Sequence, residues 1–437
     1  MRFPGEQTDK RLVRFLPNGA RDEVFNNSGL GQGRLTAWNG DTFYVATSQT
    51  VRRILSNGIQ DPSFIEMNSG PYFSSLQGGD YHVYADGRVL MSGVHVLSDT
   101  VRDFVGHHCL VWFSSEGYLD TTQHHRKCLG SLNVFQALPD GRFIGSGSTG
   151  TWDGQAASNI IRFHADGELD ATFQANVWWG QAYGFLPLDD GRVYAAGAFR
   201  ITGITDTLRL VRFMPDGTLD PTFNNFLDFD VVELSGPNGG VPSYIHPLDT
   251  GRLIVTGGFE RVDDQVRKGL CLVDTAGNLL DGHFEGSGAG NYVYQGSTLG
   301  TVRGILPVGD DHWYIWGGYH GYDDGTLNDP GQRMVSRLHG LHTGVGSVPA
   351  PPAQALLSIH PNPADAWVAL DYDLLVPPQD AALVVRDMGG REVYRQELRQ
   401  QKQQVVWDVR PVAPGTYTAS LLIGERMLRT EKIIIRP

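Results

Sequence analysis

The sequence predicts an all-β chain, in which a long domain of repeated antiparallel strands is followed by a second, smaller all-β module. Three observations carry this. A unit of Val-, Ile-, Tyr- and Phe-rich strands recurs along the first 340 residues, at spacings of 50 and 60 residues between the turn glycines Gly141, Gly191 and Gly251. The breaks between strands are Asp-Gly and Asn-Gly pairs, the residues that two-residue hairpin turns require. No window of 11 or more residues shows a capped helical period.

One repeat unit is an apolar strand, a Gly turn and Asp-x-x-Phe. It reads LVRFLPNGARDEVF to Phe25, VRRILSNGIQDPSF to Phe64, IIRFHADGELDATF to Phe173 and LVRFMPDGTLDPTF to Phe223, with weaker copies at 109–122 and 270–284. The last strand, MVSRL at 334–338, lacks the turn. In Asp220-Pro221-Thr222-Phe223 the Asp can accept backbone N–H bonds, the Pro presets φ, and the Phe returns as an apolar anchor. The second unit alternates with the first: YADGRVLMSG, LPDGRFIGSG, LDDGRVYAAGAF and LDTGRLIVTGGF, with divergent copies around Gly40 and at 308–319. A unit of about 50 residues cannot bury both faces of its sheet alone, and radial stacking solves this. Six such hairpins predict a β-propeller of about six (six to seven) blades.

Seven LVRF-type strands are one too many. PGEQTDKRLVRF at 4–15 is similar to VDDQVRKGLCLV at 262–273, which follows a hairpin. The first blade is therefore expected to begin incomplete: either a signal peptide and hairpin are missing upstream, or the strand at 12–15 closes the ring. MRFPGEQTDKR itself is not a secretory leader.

The RF-x-x-DG-x-LD-x-x-F unit followed by LPDGR-hhh-GG-F resembles the delta-60 repeat family of bacterial β-propellers over residues 12–338. That resemblance implies an architecture and no catalytic residues.

Residues 341–355, LHTGVGSVPAPPAQA, are uncharged and Pro/Gly-rich, as linkers are. The expected division is thus 1–340 propeller, 341–355 linker and 356–437 tail. The tail holds 10 basic and 10 acidic residues, so all of the net charge of −13 lies on the repeat domain. Such an acidic domain is a poor partner for nucleic acid, and no apolar run approaches membrane-spanning length. About seven short strands separated by Pro-Asn-Pro, Gly-Gly and Pro-Gly turns predict a small immunoglobulin-like β-sandwich.

HPNPA at 360–364, RDMGGREVY at 386–394, PGTYTASL at 414–421 and RTEKIIIRP at 429–437 resemble the C-terminal sorting domain of the type IX secretion system. The motif positions are Pro361, Asn362, Pro363, Gly390, Gly415, Tyr417 and Lys432. The resemblance implies a Bacteroidota-type source, contact with the type IX machinery, and an extracellular or outer-membrane surface location. The tail of that family is usually removed.

Candidate chemistry is sparse. His107, His108, Cys109, His124, His125 and Cys128 fall within 22 residues. Imidazole and thiolate are zinc ligands, but the spacing fits no standard zinc signature. A Cys109–Cys128 disulfide is the competing use, and a plain surface the third. Cys271 aligns with a strand interior and is expected as a buried thiol. Trp152, Trp178 and Trp179 are expected in loops, packed between blades or offered to a glycan. Paired carboxylates at 189–190, 263–264, 310–311 and 323–324 read as solvated turn residues rather than a glycosidase pair, and Asp323, Asp324, Asn328 and Asp329 lack the spacing of a calcium loop. No GxSxG, HExxH or P-loop motif is present, and no cofactor is expected. The expected function is a secreted, non-catalytic binding or adhesion module for an extracellular glycan or protein. The alternatives are an extracellular polysaccharide or peptide hydrolase or lyase with acidic residues at the channel, and a structural surface-layer component.

Overall fold

A computed structural model describes residues 12–341 and 356–436, apart from breaks at 17–19, 26–30, 32, 235–239, 310, 324, 326–327, 375–377, 379–380, 388–390 and 424–425. Residues 4–11, which bear most of the likeness to 262–273, lie outside this range. The fold is all-β: among the described residues the only helical element is a 3-10 turn at Met67–Ser69. The chain divides into two compact units, Met1–Val345 and Gly346–Pro437.

Six antiparallel sheets organise the first unit. Sheet 1 holds Leu35–Trp38, Thr42–Ala46 and Val51–Ile54. Sheet 2 holds Phe73–Val83, Val89–Asp99 and Phe104–Phe113. Sheet 3 holds Ser131–Ala137, Phe143–Ser148 and Ile160–Phe163. Sheet 4 holds Val177–Pro187, Val193–Ile201 and Leu208–Phe213. Sheet 5 holds Pro242–Pro247, Arg252–Gly257 and Leu270–Asp274. Sheet 6 holds Thr301–Pro307, His312–Asp323 and Asn328–His339, with Gly288–Ala289 at its edge. From sheet 2 to sheet 6 the first strand of each sheet lies against that of the next. Small two- and three-stranded ribbons fill the loops between them.

Strand alternation lets one sheet serve two cores. In sheet 4, Val193 and Ala195 point into a core shared with Ile144 and Ile160 of sheet 3. The intervening Tyr194 and Ala196 point into a core shared with Ile245 and Cys271 of sheet 5. Equivalent cores join sheets 1 and 2, 2 and 3, and 5 and 6.

The repeat's polar residues bind the sheets to one another. Arg212 Nε donates to Asp220 Oδ2 at 2.7 Å, and its Nη2 to Thr222 Oγ1 at 2.9 Å. Asp220 Oδ1 accepts the Thr222 N–H at 2.8 Å. Arg53 with Asp61, and Arg162 with Asp170, repeat this at 2.7 Å. Each guanidinium then reaches the Gly turn of the following repeat. Arg14 meets the Ser56 carbonyl at 2.6 Å, Arg53 that of Ser115 at 2.7 Å, Arg162 that of Pro215 at 2.6 Å and Arg212 that of Thr275 at 2.5 Å. The DGR turns join the same knot: Arg142 and Arg192 hold their own Asp140 and Asp190 and also reach Asp170 and Asp220. The motif Phe closes the arrangement. Gly277, at φ +87°, lies against the Phe223 ring, where a Cβ would stand 2.9 Å from it.

The repeat ending in sheet 2 has Trp112 where those of Arg14, Arg53, Arg162 and Arg212 have Arg, and the repeat in sheet 5 has Leu272 there. Arg126, from the loop beyond, supplies the missing contact: its Nη2 donates to the Asp166 carbonyl at 2.7 Å, and its Nη1 pairs with Asp153 at 3.0 Å.

The second unit pairs Leu356–His360, Trp367–Asp373 and Lys402–Asp408 in one sheet, and Glu392–Glu397, Ala381–Asp387, Gly415–Ile423 and Arg426–Ile435 in another. One core contains Val368, Leu370 and Tyr372 from the first sheet and Leu383, Val385, Ala419, Leu421 and Ile433 from the second.

Candidate functional site

The His/Cys segment lies on the last strand of sheet 2 and the chain that returns along it. Bridges Phe113↔Leu119 and Leu110↔Arg126 set the return, and the Cys109 N–H donates to the Arg126 carbonyl at 2.9 Å. His107 and His124 face outward, while His108 and His125 are buried. The His108 and His125 rings lie 6.3 Å apart, with Phe104 packed on His125 at 4.8 Å. His95, opposite His108 in the register, completes the group and is fully buried. Its Nδ1 meets Ser75 Oγ at 3.1 Å. The His125 Nδ1 accepts the Trp112 N–H at 3.4 Å, so its proton sits on Nε2, which has no partner among the described residues. Burial holds His95 down to about 4 and His125 to about 3, and lowers His108. These rings are neutral at physiological pH. Among the described residues, no group of three or more His, Cys, Asp or Glu is arranged to hold a metal ion.

Cys109 is buried and Cys128 half-buried, and both are thiols. Burial pushes the Cys109 thiol far up, as does its hydrogen bond with Cys128. Cys271 is a fully buried thiol in the core between sheets 4 and 5.

The tryptophans divide. Trp152 is buried, donating from Nε1 to the Gly167 carbonyl at 3.0 Å and stacking on Phe163. Trp178 and Trp179 lie on the first strand of sheet 4 and are 58% and 49% exposed. Strict alternation would bury one of them. A bulge between Val177 and Trp179 breaks the alternation, and Gly180 follows at φ +74°, where a Cβ would meet the Ala198 carbonyl at 2.0 Å. Arg200 lies 5.3 Å over the Trp179 ring and is held by Thr207 Oγ1 at 3.0 Å.

Among the first strands of the six sheets, Asp80 is the one carboxylate. Burial raises its pKa against the opposing pull of Arg34, 3.1 Å away. Arg34 also acts electrostatically on Tyr244 of sheet 5. The sequence does not mark Arg34, Asp80 or His95, because Asp80 and His95 sit at ordinary strand positions and Arg34 directly precedes the first strand of sheet 1. Of the paired carboxylates, Asp190 is tied to Arg192, and Asp263 accepts the Asp228 N–H at 3.1 Å. Asp323 accepts bonds from Ser287 and Gly325. Asp310 and Asp324 lie outside the described residues.

In the second unit Asn362, between Pro361 and Pro363, clamps the last strand: Oδ1 accepts the Ile434 N–H at 2.9 Å and Nδ2 donates to the Lys432 carbonyl at 2.6 Å. Lys432 is exposed and pairs with Thr418. Gly415 pairs with Ile435. The Tyr417 hydroxyl donates to the Ala413 carbonyl at 2.6 Å. Gly390 lies outside the described residues.

Residues 138–173 and 188–223 match a family described as a β-propeller domain of unknown function, DUF5122. Residues 358–436 match the secretion system C-terminal sorting domain. No curated protein matches the chain. Among solved structures it is similar to PorZ of Porphyromonas gingivalis, described as an essential surface component of the type IX secretion system. The identity is 11% over 96% of this chain and 61% of that one, with a TM-score of 0.42, so the chain spans about three-fifths of PorZ's length. It is also similar to a protein of unknown function from Bacteroides caccae, at 13% identity over 69% of this chain and 93% of that one, with a TM-score of 0.28.

Proposed function

We propose that this chain, which joins a DUF5122 β-propeller to a type IX sorting domain and is thereby sent to the cell surface or extracellular space, is a non-catalytic binding module. The six meander sheets, each sharing cores with its neighbours, support a reading as six blades. The two-sheet tail supports an immunoglobulin-like sandwich, and it is the part that engages the secretion machinery.

The observation that carries the binding reading is the pair of indoles turned outward by the bulge at 177–179. Exposed, rigid aromatic faces with a guanidinium alongside suit the C–H face of a sugar ring or an apolar peptide side chain. The hydrolase alternative needs two carboxyls flanking one bond, whereas the first strands supply Asp80 alone, already held by Arg34.

The test passes the full-length protein over a panel of polysaccharides and peptides, recording retention and the mass of any product. Retention without product, weakened at least tenfold by Trp178→Ala with Trp179→Ala at an unchanged melting temperature, is the expected result. New product, or retention indifferent to both substitutions, overturns the reading.

A further inference from the structure

We propose that Cys109 and Cys128 are joined by a disulfide in the exported protein, and that this bond fastens the loop that delivers Arg126.

The need for a fastener arises in the sequence. Trp112 occupies the place where the neighbouring repeats carry their inter-repeat arginine, so sheet 2 cannot reach the next turn with its own strand. Arg126 does so from a loop, and it must be held for the contact to the Asp166 carbonyl to persist. The same loop buries His125 with one ring nitrogen unpartnered, a cost that favours its release. The two cysteines sit at the ends of this excursion. Cys109 pairs through its N–H with the Arg126 carbonyl, and Cys128 bridges to Trp152 of the next ribbon. Both side chains pack in the one core between sheets 2 and 3, with their thiols in contact.

The pair is also chemically ordered. Cys128 is partly exposed and Cys109 is not. The Cys128 thiolate attacks one sulfur of an oxidant disulfide, either oxidised glutathione or a thiol oxidoreductase in its disulfide form, and releases one thiol. Cys109 then gives up its proton and displaces the second thiol from the mixed disulfide. Two protein thiols and one oxidant disulfide become one protein disulfide and two oxidant thiols. A surface-directed protein passes through compartments where such bonds persist.

The test incubates the full-length chain with oxidised glutathione, then alkylates it under denaturing conditions without reductant. Intact mass is expected to show one alkyl group, on Cys271, and three after reduction. Cys128→Ser is expected to take two without reduction. Reductant should lower the melting temperature of the oxidised wild-type protein by roughly 5 °C and leave Cys128→Ser unmoved. Three alkyl groups after oxidation, or a persistent glutathione adduct on Cys128, overturns the proposal.

Discussion

Arg212 Nε stands 2.7 Å from Asp220 Oδ2, and both side chains are almost wholly removed from solvent. Removing one partner of such a pair strands the other charge inside. Arg212→Met is therefore expected to cost about 3–5 kcal/mol, read as a fall in the urea midpoint. Arg212→Lys should recover little of it, because a point charge cannot serve Asp220, Thr222 and Thr275 together.

Acid should weaken the first unit in two windows. His95 and His125 have folded values of about 4 and about 3, below the ~6.5 of an unfolded His. As pH falls the unfolded chain takes up protons first. The stability held by these neutral rings is complete above pH ~6.5 and is lost progressively toward pH 4 and 3. Each ring adds a slope of up to about 1.4 kcal/mol per pH unit. Urea midpoints between pH 7.5 and 4.5 should fall accordingly, and His95→Gln should reduce the slope. Glu260, lowered to about 2, contributes only in the second window, as pH falls below its ordinary value of 4.5.

Glu260 anchors a loop through its backbone. One oxygen accepts N–H bonds from Val232 and Glu233 at 2.6 Å and from Leu234 at 3.0 Å, while the other pairs with Lys268 at 3.2 Å. Glu260→Ala is expected to abolish hydrogen-exchange protection at these three amides and to cost about 3 kcal/mol. Unchanged protection would remove the anchoring role.

Asn362 holds both ends of the sorting unit together. Asn362→Ala removes two hydrogen bonds to the last strand and is expected to cost about 2 kcal/mol. Surface display, measured by protease accessibility on intact cells, should fall while synthesis is unchanged.

The local grammar of the repeat was readable from residues: Asp-Gly for turns, Asp-x-Thr-Phe for the closing corner, alternating aliphatics for a sheet. Each device acts within a few positions of itself. The same holds for the tail, where short turn motifs mark a family. The contact of Arg162 with the Pro215 carbonyl was not readable, because a backbone acceptor more than fifty residues away leaves no mark in composition. His95 was missed for a related reason, since a His within alternating VHVLSD looks like any other strand residue. Trp152 was expected in a loop and is buried in a short strand. The outward turn of both Trp178 and Trp179 depends on a bulge that strict periodicity hides.

The clasps between repeats have unlike halves. The giving half is a side chain of fixed identity, but the receiving half is a main-chain carbonyl offered by Ser56, Ser115, Asp166, Pro215 or Thr275. Inheritance is thereby constrained on one side only. A duplicated copy can dock behind any predecessor whatever its turn spells, and can drift there freely. A copy that loses its own arginine leaves its successor unheld until another residue, as at position 126, takes over the grip. Such an array can lengthen by copying and diverge in its loops without renegotiating its joints.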